Sequence, residues 1–190
     1  MKKLDDAIHF AVDAHSRQVR KLSGAPYILH PIEALSIVSQ LTDDEDVLCA
    51  TVLHDVVEDT PATIEDVRER FGDRVAELVS AETENKREGL PPDATWKIRK
   101  EETLDHLAKT DDVNVRIMWL GDKLSNMRSM LIEYLKEGDG IFIHFNQHDK
   151  SEQEWYYRSI LKELEKDFAA TPALFEYRAI VDYIFNKDKG

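Results

Sequence analysis

The sequence has little of the material from which disulfide-stapled or membrane-spanning proteins are made. Its single cysteine, Cys49, has no partner for an internal disulfide, and we expect it to be a small buried side chain. No apolar run approaches the roughly 18 residues that a membrane helix requires. Asp5 and Asp6 stand where a signal peptide would need an apolar core. We therefore expect no membrane segment and a cytoplasmic protein.

Positive charge is also scarce. The 190 residues include 25 Lys and Arg against 38 Asp and Glu, which gives a formal net charge of −13. Such a surface repels a nucleic-acid backbone on average, which argues against duplex binding. A small phosphorylated ligand is compatible with this charge if local cations or a bound metal ion reverse the sign inside one pocket.

Strand pairs, internal repeats and Ser/Gly linkers are missing as well. The one alternating stretch, IFIHF at 141–145, has no second strand to pair with. Apolar residues instead recur at helical spacing, including two final helices predicted over 151–168 and 172–185. The sequence predicts an all-α fold: one compact domain over residues 1–190, a bundle of about eight to nine helices with C-terminal packing helices over about 151–186.

One short stretch, VLHDVVEDT at 52–60, places a histidine and three acids at the end of an apolar segment. We predict a helix over 47–59 that stops before Thr60-Pro61, so that His54 and Glu58, and likewise Asp55 and Asp59, share a helix face. Like charges at this spacing repel, and a divalent cation would offset the repulsion. The alternative is a solvated acidic face with a histidine in the core.

Two distant places favour the metal interpretation. His30 directly precedes Pro31, which is expected at the first position of a helix and restricts the backbone of His30. Asp122 lies in an apolar run and needs a partner, with Asn126 one turn later on the same face. Together His30, His54, Asp55 and Asp122 would offer a cation two nitrogens and two carboxylates, and would leave positions for water and substrate.

Four ordered blocks then carry a resemblance. RKLSGAPYILHP, LHDVVEDT, FGDRVAELV and LGDKLSNMR, within about residues 4–132, are similar to the all-helical HD superfamily of metal-dependent phosphohydrolases. The closer similarity is to the hydrolase domain of the Rel/SpoT alarmone enzymes and to the stand-alone small alarmone hydrolases. A bare His-Asp pair has little specificity, whereas four blocks in this order are specific.

The resemblance implies a reaction and a role for each matching residue. It implies removal of pyrophosphate from the 3′ position of guanosine tetra- or pentaphosphate, and degradation alone, since the chain leaves no room for a synthetase domain. One Mn²⁺ would be held by His30, His54, Asp55 and Asp122. Glu58 and Asp59 would handle the attacking water. Arg20, Lys21 and Asn126 would bind the nucleotide, and Lys123 would contact a phosphate.

Three features qualify these expectations. Between the His-Asp pair and Asp122 the only histidine is His106, which favours one metal ion over two. Leu22 is an extra residue in the Arg-Lys-Ser-Gly stretch, and SAETENK at 80–86 replaces a GVTK-like block, so the identity of the base, guanine or adenine, stays open. The alternative functions are an HD-type phosphatase of another nucleotide and a nucleotide sensor that does not cleave its ligand.

Overall fold

Helices form wherever apolar side chains recur at three- and four-residue spacing. The computed structural model describes residues 2–87 and 89–186. Within them the α-helices are α1 (Lys2–Ala14), α2 (Leu29–Val38), α3 (Glu45–Leu53), α4 (Val56–Asp59), α5 (Ile64–Phe71), α6 (Asp73–Glu82), α7 (Pro92–Lys109), α8 (Val113–Glu137), α9 (Lys150–Phe168) and α10 (Pro172–Phe185). A 3-10 helix spans Gly138–His144. In this part of the chain no strand forms, and the all-α prediction is confirmed.

Several helix boundaries follow the sequence closely. Thr63 and Asp66 form both hydrogen bonds of a capping box at the start of α5. Gly72 ends the same helix with a φ of 92°, a conformation that favours glycine. The predicted final helices differ from α9 by one residue and match α10. The stretch 141–145 forms part of the 3-10 helix and the residue after it.

The predicted continuous helix over 47–59 is wrong. Helix α3 ends at Leu53, His54 and Asp55 form a turn, and the four-residue helix α4 follows. The carbonyl of Thr51 accepts a 2.7 Å hydrogen bond from the His54 ring nitrogen Nδ1, and a long one of 3.5 Å from the backbone N–H of His54. Because the imidazole occupies this carbonyl, the regular hydrogen-bond pattern stops there. The described residues form ten α-helices, or nine if α3 and α4 are counted together as the single helix that was predicted there.

The start of α2 also differs from the prediction. The helix begins at Leu29, two residues before Pro31, so His30 lies in its first turn rather than before it. The proline is tolerated there because the first N–H groups of a helix have no intrahelical acceptor.

The described residues divide into two compact units. One contains residues 2–20, 24–83 and 112–125, and the other contains 21–23, 84–87, 89–111 and 126–186. The prediction of a single domain over 1–190 stays a prediction.

Helix α3 is the centre of the first unit. It packs against α1, α2 and α6, and all of its residues from Val47 to Leu53 are buried. A helix buried on every side needs apolar or self-satisfied side chains, and Thr51 meets this need by donating its hydroxyl to the carbonyl of Val47. This buried helix delivers His54 at its C-terminal end.

Helices α2 and α8 approach each other closely at Gly121. A methyl group placed on Gly121 would lie 2.4 Å from Cγ2 of Val38 and 3.1 Å from the carbonyl oxygen of Ala34. Only glycine permits this approach, and the next residue of α8 is Asp122. The glycine thus sets the distance between two helices that each carry a candidate ligand.

The second unit is held by contacts of α9 with α7 and with α10. The rings of Trp96, Trp155 and Tyr156 meet edge-on between α7 and α9. In the part of the chain that the structure describes, none of the helices has the length and apolar character needed to cross a bilayer.

Candidate metal centre

The four predicted ligands converge on one point. The Nε2 atoms of His30 and His54 are 3.2 Å apart. Oδ1 of Asp122 lies 3.1 Å from the first and 3.7 Å from the second, and Oδ2 of Asp55 lies 3.5 and 3.1 Å from them. The side chains of His30, His54 and Asp122 are at most 9% exposed, and that of Asp55 is 17% exposed.

This geometry fits a divalent cation. Donor atoms about 2.0–2.2 Å from a cation, at tetrahedral or octahedral angles, stand about 3.0–3.5 Å from one another. The separations among these donors fall in or close to that range. Two imidazole nitrogens and two carboxylate oxygens also form a donor set that suits first-row metals. The residues present therefore fit a metal ion.

Hydrogen bonds fix both imidazole rings in the form that a metal requires. His54 donates from Nδ1 to the carbonyl of Thr51, so its Nε2 is the nitrogen available for coordination. The Nδ1 of His30 lies 2.9 Å from the Ser125 hydroxyl, which itself donates to Glu33 over 2.7 Å. Because that hydroxyl has one proton, Nδ1 of His30 is assigned as the donor and its Nε2 also faces the cluster.

Asp122 is oriented by a cation on its outer side. The ammonium group of Lys123 contacts Oδ2 of Asp122, while Oδ1 faces the imidazoles. The same ammonium group lies 4.6 Å from the centre of the Trp119 ring. Lys123, the predicted phosphate contact, thus binds a candidate metal ligand directly.

Tyr27 connects the cluster to the second pair of acids. Its hydroxyl lies 2.6 Å from Oδ2 of Asp55 and 3.0 Å from Oδ2 of Asp59. The ring stacks near His15 with centroids 4.8 Å apart and meets His30 edge-on at 5.9 Å. One phenol therefore bridges a candidate metal ligand and a candidate catalytic acid.

Asp59 is held from a second direction. The side-chain amide of Gln18 donates to the backbone carbonyl of Asp59 over 2.7 Å. The side-chain oxygen Oε1 of Gln18 lies 2.8 Å from Nδ1 of the buried His15. His15 thus makes a structural hydrogen bond and lies against the Tyr27 ring. Glu58 lies half-buried beside Asp59 in α4, with its own polar contacts.

Burial and charge act in opposite directions on the pKa values of the cluster. Burial lowers the pKa of His54, but Asp55, Asp122 and Glu82 outweigh it and raise the value to about 10. Burial raises the pKa of Asp55, but His54 and His30 hold it well below its usual range. Burial likewise raises the pKa of Asp122, but Lys123 and the two imidazoles outweigh it and lower the pKa. Without a metal, the protonated imidazole of His54 partly balances the charge of the carboxylates.

The predicted nucleotide contacts lie on two elements. Arg20 and Lys21 belong to a loop closed by hydrogen bonds from Arg20 N–H to the Ala25 carbonyl and from Gly24 N–H to the Arg20 carbonyl. The guanidinium carbon of Arg20 stands 5.8 Å from the centre of the Tyr27 ring, whereas Lys21 is exposed. Asn126 is half-buried on α8, one turn beyond Asp122.

Several residues of the site were missed by the sequence patterns. Tyr27, Ser125 and Glu33 act through other side chains, and only the fold shows their contacts. Tyr27 could have been suspected, since it stands three residues before His30 in a block already selected. Ser125, three residues after Asp122, occupies the same helix face and carried a comparable signal.

Known proteins resemble the chain over most of its length. The family described as HD domain matches residues 7–148. The bifunctional (p)ppGpp synthase/hydrolase SpoT of Escherichia coli (strain K12) is 38% identical over 137 residues, which cover 68% of this chain and 18% of that protein. The chain spans less than a fifth of the length of the curated relatives it matches.

Two solved structures share the fold over nearly whole chains. A metazoan ortholog of SpoT, described as hydrolysing ppGpp, aligns with a TM-score of 0.75 and 25% identity over 96% of both chains. A protein of Listeria monocytogenes EGD-e aligns with a TM-score of 0.71 and 32% identity over 87% of this chain and 99% of its own. With the family match covering more than half of its residues, this chain belongs to the HD-domain family.

Proposed function

We propose that this chain is a metal-dependent 3′-pyrophosphohydrolase that cleaves guanosine tetra- or pentaphosphate to GDP or GTP and pyrophosphate. The observation that carries the proposal is the convergence of four metal donors with two further acids in the adjoining turn. The relatives support it, because the Escherichia coli protein is named as a (p)ppGpp synthase/hydrolase and the metazoan protein is described as hydrolysing ppGpp.

The resident cation in this proposal is one Mn²⁺ on His30, His54, Asp55 and Asp122. Carboxylates favour Mn²⁺ and imidazoles accept it, and four protein donors leave coordination positions for water and substrate. When bound, such a cation lowers the pKa of a water from about 15.7 toward about 7 to 9 and neutralises charge on phosphoryl oxygens. Lys123 contacts Asp122 and orients it. In this proposal Lys123 also contacts a phosphate of the substrate.

The chain's own acids handle the water. Its oxygen forms a bond to the phosphorus next to the ribose 3′ oxygen, the bond between that phosphorus and the 3′ oxygen breaks, and the 3′ oxygen takes up a proton. Glu58 accepts the proton of the water. Asp59 is held in place by Tyr27 and Gln18, and it helps Glu58 to orient the attacking water.

The nucleotide is steadied by the predicted basic and amide side chains. Arg20, next to the face of Tyr27, presents a planar guanidinium that stacks on a base. The exposed Lys21 and Asn126 supply further contacts. The positive charges of Arg20 and Lys21 locally offset the net charge of −13, which would otherwise repel a substrate with four or five phosphates.

The experiment incubates the purified protein and Mn²⁺ with a panel of nucleotides and identifies every product. The panel contains guanosine and adenosine 3′-pyrophosphates, deoxynucleoside monophosphates and a 2′-phosphorylated dinucleotide, and Mg²⁺, Zn²⁺ and Co²⁺ replace Mn²⁺ in parallel samples. Pyrophosphate released from a 3′-pyrophosphate supports the proposal. Orthophosphate as the only product would make the chain a phosphatase, and no turnover with metal bound would make it a sensor.

Paired variants separate metal binding from water handling. His54→Ala removes an imidazole donor and is expected to abolish metal binding and turnover. Glu58→Ala is expected to keep the metal and to lose turnover by about 10²- to 10⁴-fold, the usual contribution of a general base. Glu69→Ala, an exposed acid on α5, is the matched control and should behave like the parent protein. A fully active Glu58→Ala would show that another group accepts the proton.

A further inference from the structure

Glu82 is a buried carboxylate for which the proposed reaction has no role. It is the last residue of α6. Both of its carboxylate oxygens are buried, and neither has a hydrogen-bond partner among the residues that the structure describes. A buried ionisable group without a partner is costly, so native proteins seldom keep one unless something else satisfies it.

Glu82 belongs to a helix that packs beside the candidate metal centre. Helix α6 packs directly on α3, the helix that ends at His54. The charges that act on its carboxylate belong to His54, Asp122, Lys123 and Asp55. Three of these are candidate ligands, and the fourth contacts one of them. Glu82 is therefore an additional acid with buried oxygens, on the helix that packs against α3, and the charges of the candidate ligands act on it.

Another glutamate two residues later shows what a satisfied acid looks like in this chain. Glu84 is also largely buried, but it accepts from Arg99, Lys100 and Thr103 within its own compact unit. Glu82 accepts no hydrogen bond from a cation or a hydroxyl within residues 2–87 and 89–186. Burial raises the pKa of Glu82 to about 8, although the positive charges of His54 and Lys123 act in the opposite direction. A divalent cation nearby would supply the missing positive charge.

We propose that Glu82 is a further carboxylate ligand of the metal centre, which would then hold its cation with two imidazoles and three carboxylates. The inference rests on the metal centre of the proposed function and extends it. Glu82 lies in SAETENK, the block that departs from the GVTK-like block of the resembling hydrolases. A third carboxylate makes the donor set harder, which favours Mn²⁺ over Zn²⁺.

The test measures metal binding without any nucleotide. Protein freed of metal by a chelator is titrated with Mn²⁺ and with Zn²⁺ by calorimetry, and free Mn²⁺ is followed by electron paramagnetic resonance. Glu82→Gln keeps the shape and removes the charge, and it is expected to weaken Mn²⁺ binding at least tenfold and Zn²⁺ binding less. Glu77→Gln changes an exposed acid on the same helix and should bind like the parent protein.

Parent-like Mn²⁺ affinity in Glu82→Gln would overturn the inference. If that variant fails to fold, Glu82→Asp keeps the charge but withdraws it by one methylene, and it too should bind Mn²⁺ more weakly; an unchanged affinity would again refute the assignment. Because the titration contains no nucleotide, a parent protein that binds Mn²⁺ but leaves alarmones intact would contradict the proposed reaction and still decide the role of Glu82.

Discussion

Tyr27 links two acids of the candidate site, Asp55 and Asp59. Its one hydroxyl proton serves both Asp55 and Asp59, at 2.6 and 3.0 Å. Burial and the two carboxylates raise the pKa of Tyr27 far above its ordinary value, so the phenol stays protonated and remains a donor. A metal ligand that is oriented by a neighbouring donor commonly depends on it.

Tyr27→Phe should therefore impair the site more than the fold. The ring contacts with His15 and His30 survive, but two carboxylates lose their donor. We expect Mn²⁺ affinity to fall about 10- to 100-fold and kcat to fall with it, while the free energy of unfolding drops by about 1.5–3 kcal/mol. Calorimetry, kinetics and urea unfolding measure the three quantities. Tyr183→Phe, on α10, is the control, and equal metal affinity in both variants would contradict this role.

His54 links metal binding to protons. Its pKa of about 10 means that the metal-free imidazole is protonated at neutral pH, while a metal ligand must be neutral. The cation therefore displaces the proton of His54, and Mn²⁺ affinity should rise at least tenfold per pH unit between pH 6.5 and 8.5, more steeply below pH 8, where Glu82 also gives up a proton. Titrations in buffers of different ionisation enthalpy count the released protons. Affinity that is flat across this range would show that His54 is already neutral.

At the scale of the helices, the contact of α2 with α8 decides how close His30 comes to Asp122. Gly121 precedes Asp122 and leaves no space for a methyl group against Val38 and Ala34. The neighbouring atoms are a branched side chain and a backbone carbonyl in buried helices, so they cannot move independently. The separation of the two helices is thus coupled to the 3.1 Å distance between His30 and Asp122.

Gly121→Ala should separate the two helices. Overpacking costs about 1–3 kcal/mol, and the better helix propensity of alanine returns about 1 kcal/mol at most. We expect a net loss of stability on urea unfolding and at least tenfold weaker Mn²⁺ binding. In Gly140→Ala the added methyl meets only an ordinary contact at 3.9 Å, which makes it the control. A Gly121→Ala protein as stable as the parent, with parent-like metal affinity, would show that the helices adjust.

The helices also show where sequence patterns suffice. The Thr63 and Asp66 pair, Gly72 and Pro172 mark helix ends through chemistry that involves only neighbouring residues of the chain. The break at His54 was not predictable, because periodicity continues through it. It arises from the imidazole binding the Thr51 carbonyl, an arrangement that serves the cluster rather than the helix.

At the scale of the whole molecule, the metal-free protein should lose stability as pH rises. Glu82 has a folded pKa of about 8 against an ordinary 4.5, and His54 has about 10 against 6.5. For both groups the folded value is the higher one, so their contribution is fully present below the ordinary value and is lost as pH rises through the folded value. The window therefore runs from about pH 5 to 10.

Thermal unfolding in chelator from pH 5 to 9 measures this loss, and we expect the midpoint to decline over that range. In Glu82→Gln the decline below pH 8 should be shallower. Saturating Mn²⁺ should raise the midpoint most at high pH, because binding to the folded state alone stabilises it. A midpoint that rises from pH 6 to 9 in chelator would contradict the assigned directions.

For the site as a whole, the convergence of the candidate ligands was predictable from the sequence, whereas the residues that hold them in place were not. His30, His54, Asp55 and Asp122 were chosen because polar groups stood in apolar segments, and the structure places their donor atoms together. Tyr27 and Ser125 each stand three residues from a candidate ligand, which is a weak signal, and Glu82 stands in ordinary surroundings along the chain. What gives them a role is a neighbour distant in sequence, which no pattern within one segment reveals.

The convergence of donors from separate helices has a consequence for folding. The imidazoles that meet are 24 residues apart, and His30 is joined to Ser125 across 95 residues. In a chain whose one cysteine is buried, a bound cation is the strongest cross-link available, and it would close long loops much as a disulfide does. Because the loops must close before the ligands meet, the cation should bind late in refolding and slow unfolding more than it speeds folding.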